Sequence, residues 1–164
     1  MGAGKSTVGP RLAMALGMPF QDSDTLVSAR EASPITEIFI RHGERYFREL
    51  EEGVILEILH GPSTILATGG GAVLSERVRH ALQQLSCCVY LQVDIQEQLR
   101  RLASGADRPL AGEKEHLQGL QHIREPFYHA VAHAVVPTSG RPIQEVTAEV
   151  LARYQAHGLR CPGQ

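Results

Sequence analysis

Met1-Gly2-Ala3-Gly4-Lys5-Ser6-Thr7, running on into Val8–Leu16, is the stretch from which the fold can be read. It matches the end of the phosphate-binding pattern G-x-x-x-x-G-K-[ST]. Glycines let backbone N–H groups turn inward around phosphate oxygens, and the start of the following helix adds its dipole. Lysine sets a compact charge between the β- and γ-phosphates, where a forked guanidinium fits poorly. Of sixteen basic residues only Lys5 and Lys114 are lysines, which singles out Lys5 in a chain that otherwise writes positive charge as arginine. The competing reading is a Gly-rich helix start that happens to precede Lys-Ser. Val8, Leu12 and Leu16 on one helix face, closed by Gly17, count against it.

The pattern is incomplete. Its first glycine would stand five residues before Gly4, ahead of Met1, together with the buried strand that ordinarily delivers such a loop. Loss of a central strand leaves unpaired backbone groups on two neighbours. A late start or a true truncation would each explain this. The 164-residue chain is therefore expected to be less stable and less active than a version extended upstream.

Outward from the loop, apolar periodicity predicts a helix over Lys5–Leu16 and an extended piece over Met18–Gln21. Helical stretches follow at Thr25–Arg30 and Ile35–His42, then a longer helix at Glu44–Leu59 beyond Gly43. Thr64–Thr68 and Cys87–Val93 read as strands, the second buried on both faces, with a Ser75-capped helix between them. Ile95–Ser104 is helical, Gly105–Gly112 a polar loop, Glu113–His133 mostly helix, Ala134–Pro137 a strand and Pro142–His157 a final helix. Strands alternating with helices predict an α/β fold with a doubly wound parallel sheet and helices on both faces. The domain spans residues 1–157, with a lid at about 105–118 and a loose tail at 158–164.

Composition narrows the function. The net charge is −2 and no basic excess exists, so bulk attraction to nucleic acid or membrane surface is not expected. No apolar run approaches the ~20 residues of a membrane span, and nothing resembles a secretory signal. Three cysteines form no disulfide framework, which points to a reducing, cytoplasmic setting. Among eight histidines, His129 and His133 are four apart and share a helix face, but no Glu follows the first and no third ligand completes a metal motif.

Asp22 and Asp24, two apart at a strand end, would direct both carboxylates to one face, ~6.5–7 Å apart. One could hold water on a metal ion while the other meets an acceptor hydroxyl. Arg48 and Arg124, with backbone donors from Gly69-Gly70-Gly71, could clamp a small carboxylate bidentately. Glu51 and Glu52 could orient Arg48, or belong to a solvated helix face. Arg108 in the polar loop suits a mobile arginine that closes over a transferring phosphate. Arg101 and Arg141 are further cationic candidates near the nucleotide, Arg141 placed to pack on the base.

The ordered set GAGKSTVG (Gly2–Gly9), D-x-D (Asp22, Asp24), FRELEE (Phe47–Glu52), ATGGGAV (Ala67–Val73), RPL (Arg108–Leu110) and R-x-P-x-Y (Arg124–Tyr128) resembles shikimate kinase over nearly the whole chain. The resemblance implies a P-loop NTPase fold of the nucleoside-monophosphate-kinase type and phosphorylation of shikimate by ATP in aromatic amino-acid biosynthesis. It implies that Gly2, Ala3, Gly4, Lys5, Ser6 and Thr7 cradle the phosphates, with Ser6 on Mg²⁺ and Asp22 bound to that ion through water. Asp24 would contact the acceptor hydroxyls, and Arg48, Gly69, Gly70, Gly71 and Arg124 would hold the acceptor. Lys5, Asp24 and Arg108 would be catalytic, with Arg108 and Arg141 on the nucleotide. Ala111 departs from the second leucine the family often carries after R-P-L. The working unit is expected to be a monomer binding only small molecules. The alternatives are another small P-loop kinase, such as a gluconate kinase, or an inactive truncated remnant.

Overall fold

The structure is a computed structural model that describes residues 2–103 and 111–156. Helix α1 (Lys5–Leu16) starts after Gly4, whose φ of 97° lies in the left-handed region, and stops at Gly17, whose φ of 65° does the same. A side chain at Gly9 would collide with the Phe20 ring, so α1 lies directly on strand β1 (Phe20–Asp22). That strand runs without a loop into α2 (Ser23–Arg30). Asp22 caps the helix by accepting from the N–H groups of Asp24 (3.0 Å) and Thr25 (3.4 Å). Asp24 thus sits in a first helical turn. The expectation of an extended Asp22–Asp24 pair is corrected by this cap.

Helix α3 (Ile35–Leu59) contains the expected break as a kink at Gly43 (φ 80°, ψ 172°). It buries Ile38, Phe47, Val54 and Ile55. Strand β2 (Ile65–Ala67) leads through the glycine run to a 3₁₀ turn at Ala72–Leu74 and to α4 (Glu76–Leu85). Ser75 caps α4, as its position in the sequence predicted, its Oγ accepting from Val78 N–H at 3.2 Å. Then come β3 (Val89–Gln92), α5 (Ile95–Ala103), α6 (Ala111–Val131), β4 (Ala134–Pro137) and α7 (Ile143–Ala156). Residues 111–118 of the expected lid are helical; Arg108, the rest of that segment and the tail lie outside the described residues.

Pairing is parallel throughout. β1 pairs with β2 (Phe20 opposite Ile65), and β3 with β4 (Val89 opposite Ala134). Among the described residues these form two sheets of two strands each. They are joined by side chains. Val8 and Leu12 of α1 pack with Leu91, Val136, Val146 and Val150, and Ile65 of β2 lies against that cluster. The strand expected over Cys87–Val93 is shorter, its paired residues being Val89–Gln92 opposite Ala134–Pro137. Cys88 C=O accepts from His133 N–H (2.8 Å) and Gln92 C=O from Thr138 N–H (2.8 Å). Only Leu91 within β3 is fully buried, so the strand is not covered on both faces as expected. Each strand ends toward the same side, where α1, α2 and the glycine run begin.

Candidate active site

The phosphate side is built from backbone. Gly4 caps α1 without any side-chain hydrogen bond, and the first turn carries no acidic residue. The opening of the helix is therefore left without a capping side chain, the arrangement by which a helix start can receive an anion. Behind them Arg101 donates to Gly2 C=O (2.9 Å), Thr138 C=O (2.6 Å) and Thr138 Oγ1 (3.2 Å), tying the loop to the end of β4. Ala3, Gly4, Thr7, Arg100, Arg101 and Arg141 line a cavity of about 280 Å³ on this side. Arg141 is engaged by Glu149 (2.7 Å) and by Pro137 C=O (3.0 Å), so its guanidinium is directed onto α7 and the end of β4.

Lys5 is the hinge between the two halves. Burial pushes its ammonium below the ordinary lysine value, and the carboxylates of Asp24 and Asp22 act against that shift. Ser6 Oγ donates to Asp22 Oδ2 at 3.1 Å. This hydroxyl–carboxylate pair is an all-oxygen donor set beside the phosphate loop. It fits a Mg²⁺ ion, which takes one or two protein ligands and keeps several waters. No cluster of three or more His, Cys, Asp or Glu side chains exists among the described residues, so a protein-only metal cage is not built.

The acceptor side is built from side chains. Glu51 on α3 is 1% exposed, and its Oε2 accepts from Arg48 Nη1 at 2.6 Å. Arg48 is shared with Glu44, at 3.1 and 3.2 Å. Burial works to lower the Arg48 pKa, but the bonds to Glu51 and Glu44 outweigh it and the net shift is upward. Burial raises the Glu51 pKa against the pull of Arg48. Asp24 is raised as well, first by burial and then by Asp22, with Lys5 and Arg48 opposing. The reading of Glu51 as an orienting partner for Arg48 is met. Glu52 instead binds Ser75 Oγ (2.6 Å) and Arg77, because it lies on the next face of α3, toward α4.

The glycine run lies on top of this cluster. A Cβ at Gly69 would strike the Glu51 carboxylate and Asp24, and one at Gly71 would strike the Arg48 guanidinium. A side chain at either place would have to displace a charged group, so backbone and charged groups share one surface. Gly69 N–H donates to Ser23 Oγ (2.9 Å), and Tyr128 Oη donates to Gly70 C=O (2.5 Å). Lys5, Gly69, Gly70, Arg124 and Tyr128 line one further cavity of about 120 Å³. Buried Glu51 Oε1 and Arg124 Nε have no hydrogen-bond partner. An unpaired guanidinium N–H beside a small cavity is available to a polar ligand.

Of the described residues expected on the acceptor side, Gly69, Gly70 and Arg124 line this pocket, while Asp24 lies against Gly69 and Arg48 against Gly71. Sequence reasoning missed Ser23 and the hydroxyl of Tyr128. Ser23 stands between the two aspartates, and Tyr128 follows Arg124 by one helical turn; both spacings carried a signal. His133 and His129 serve packing: His133 Nδ1 accepts from Cys88 N–H (3.1 Å), and the His129 ring meets Tyr90 edge-on at 5.3 Å.

A family model described as shikimate kinase matches residues 1–155. The shikimate kinase of Pseudomonas syringae pv. syringae (strain B728a) is 43% identical over 156 residues, 93% of this chain and 91% of that protein. The shikimate kinase of Salinispora arenicola (strain CNS-205) is 44% identical over 157 residues, 94% of this chain and 93% of that protein. Among solved structures, shikimate kinase from Acinetobacter baumannii in complex with shikimate superposes with a TM-score of 0.90 at 34% identity, covering 98% of this chain and 91% of that chain. The Aquifex aeolicus vf5 enzyme gives a TM-score of 0.85 at 31% identity, covering 97% of this chain and 94% of that chain.

Proposed function

The chain belongs to the shikimate kinase family, and on that premise we propose that it transfers the γ-phosphoryl group of ATP to a ring hydroxyl of shikimate, giving shikimate 3-phosphate. The observation that carries the reading is that Lys5 of the phosphate loop, the glycine run and Arg124 line one pocket, with Asp24 close enough to act on the Lys5 charge.

The roles follow from the chemistry of each group. The N–H groups at the start of α1 and the Lys5 ammonium hold the β- and γ-phosphates and offset the charge that spreads over the transferring group. Ser6 and Asp22 would hold Mg²⁺, Asp22 through water; when bound, the ion neutralises phosphate charge and helps align the transfer. Asp24 orients the attacking hydroxyl and accepts its proton, a role suited to a carboxylate whose proton affinity burial has raised. Arg48 and Arg124 bind the carboxylate of the ring, with the N–H groups of Gly70 and Gly71 as further donors. Catalysis is then mainly positioning and charge neutralisation. Arg108 is proposed as the residue that closes over the phosphates, and Arg141 as a contact to the nucleotide from the far wall of its cavity.

We read the working unit as a cytoplasmic monomer. One chain supplies every acceptor and phosphate group named above, and an odd cysteine count suits a reducing compartment. No described helix is long and apolar enough to cross a membrane.

A coupled assay that follows ADP release, run with Mg²⁺–ATP and either shikimate or gluconate, tests the reading. Turnover with shikimate alone is expected. Turnover with gluconate alone would replace it with a sugar-acid kinase.

A further inference from the structure

The glycine run presents flexible backbone to the acceptor, so something must hold its peptide planes. Gly69 N–H is taken by Ser23 Oγ, a fully buried group between the two aspartates. Gly70 C=O is taken by Tyr128 Oη at 2.5 Å. Tyr128 is itself fixed. Its ring stacks on Tyr90 with centroids 5.0 Å apart, and Tyr90 is met edge-on by His129. Burial raises the Tyr128 pKa, so the phenol keeps the proton it donates across the neutral range.

Two geometric facts give this bond a consequence. In a trans peptide the carbonyl and the next N–H point in opposite directions, so fixing Gly70 C=O also fixes the Gly71 N–H. Tyr128 also lies four residues after Arg124 on α6, and both side chains line the same cavity. A single hydrogen bond therefore registers the helix carrying the Arg124 guanidinium against the backbone that faces it.

We infer that Tyr128 is a positioning residue for the anionic acceptor: its hydroxyl, clamped on Gly70 C=O, sets both the direction of the Gly71 N–H and the spacing between the glycine run and Arg124. The inference rests on the acceptor reading given above for its kinetic expression, but the clamp itself is a property of the free protein. It uses no contact between Tyr128 and the reacting atoms.

The test is Tyr128→Phe in the full chain, which keeps the ring stack and removes only the hydroxyl, with Tyr90→Phe as the comparison. In Tyr128→Phe, KM for shikimate is expected to rise about five- to tenfold, the loss of one hydrogen bond that holds a donor in place. KM for ATP and the melting temperature should stay as in the parent chain. Amide hydrogen exchange of Gly69, Gly70 and Gly71 should quicken by a similar factor, while exchange elsewhere is unchanged. Tyr90→Phe should match the parent in every reading. Unchanged exchange at the glycine run would overturn the inference. So would a parallel rise in both KM values with a lower melting temperature, which marks a structural residue, or an equal effect from Tyr90→Phe. A parent chain that turns over no shikimate would instead defeat the functional reading, and the exchange measurement would still decide the clamp.

Discussion

The two halves of the pocket are made of different materials. On the phosphate side the geometry resides in backbone: a left-handed Gly4, an uncapped helix start and one arginine tying Gly2 to Thr138. On the acceptor side it resides in interlocked side chains, with Glu51 buried beneath Arg48, Arg48 against Gly71, and Ser23 and Tyr128 on the glycine run. A triphosphate tail is chemically uniform, and a curl of N–H groups reads it adequately. A small ring acid must be distinguished from its relatives, which calls for donors held at fixed spacing. Changes on the phosphate side should therefore reduce turnover with little loss of fold. Changes to the buried charges of the acceptor side should cost affinity and stability together.

The largest effect is expected at the boundary. Lys5→Met removes the phosphate-loop cation and should lower kcat by about a thousandfold, in line with loss of a preorganised charge contact. Because Lys5 is buried at some cost to its charged form, the variant should melt no lower than the parent. Shikimate binding by calorimetry should survive. Loss of acceptor binding together with turnover would show that the halves are not separable in this way.

Next comes Glu51→Ala, which leaves Arg48 half-buried without its closest partner. Breaking a buried pair by removing one member costs about 3 kcal/mol, so the melting temperature should fall by several degrees. KM for shikimate should rise with it, since the guanidinium loses its rest beneath Gly71. A variant that lost affinity at full stability would place Glu51 in contact with the acceptor instead of under Arg48.

This contrast also explains what could be read from the amino acids alone. The loop, the helix behind it and the ordered glycine, arginine and aspartate signatures are local, and the chemistry they need is written in adjacent residues. Glu51 reads locally as one of two glutamates on a helix face; only the glycine run folding over it, eighteen residues downstream at Gly69, makes it a buried group. Ser23 and Tyr128 act on the run across 46 and 58 residues of chain, a separation no periodicity reports. The strand ends were misjudged for the same reason. Cys88 and Gln92 find their ladder partners at residues 133 and 138, through hydrogen bonds formed only after the chain returns.

A smaller effect tests the acceptor half through protons. Asp24 must be ionised to accept the hydroxyl proton, and burial followed by Asp22 raises its pKa above the ordinary aspartate value. The acid limb of kcat/KM should therefore lie above pH 3.8, the ordinary aspartate position. Arg48→Met removes a charge that opposes the shift, so the limb should move to higher pH. Stability carries the opposite sign. Groups with raised folded-state pKa values, Asp24 and Glu51 here, favour the fold in acid, and that contribution fades as pH rises through those values. An acid limb that did not respond to Arg48→Met would mean that Asp24 is not the titrating group.

The smallest effect belongs to Glu97, on the phosphate half, and its pH dependence runs the other way. Glu97 binds Arg100 (2.7 and 2.8 Å) and Arg101 (2.8 Å), and these bonds hold its pKa at about 2 instead of 4.5. A depressed carboxylate stabilises the fold fully above its unfolded value and loses that contribution as pH falls toward the folded one. Glu97→Gln should therefore melt slightly below the parent at neutral pH, by no more than a few degrees because Arg100 is exposed and Arg101 keeps its other bonds. The gap between the two proteins should close as pH falls from 4.5 toward about 2. Arg101 keeps its bonds to Gly2 and Thr138 in this variant, so KM for ATP should barely move. A large rise in KM for ATP would mean that the phosphate loop depends on side-chain scaffolding after all, and the division between a backbone half and a side-chain half would fail.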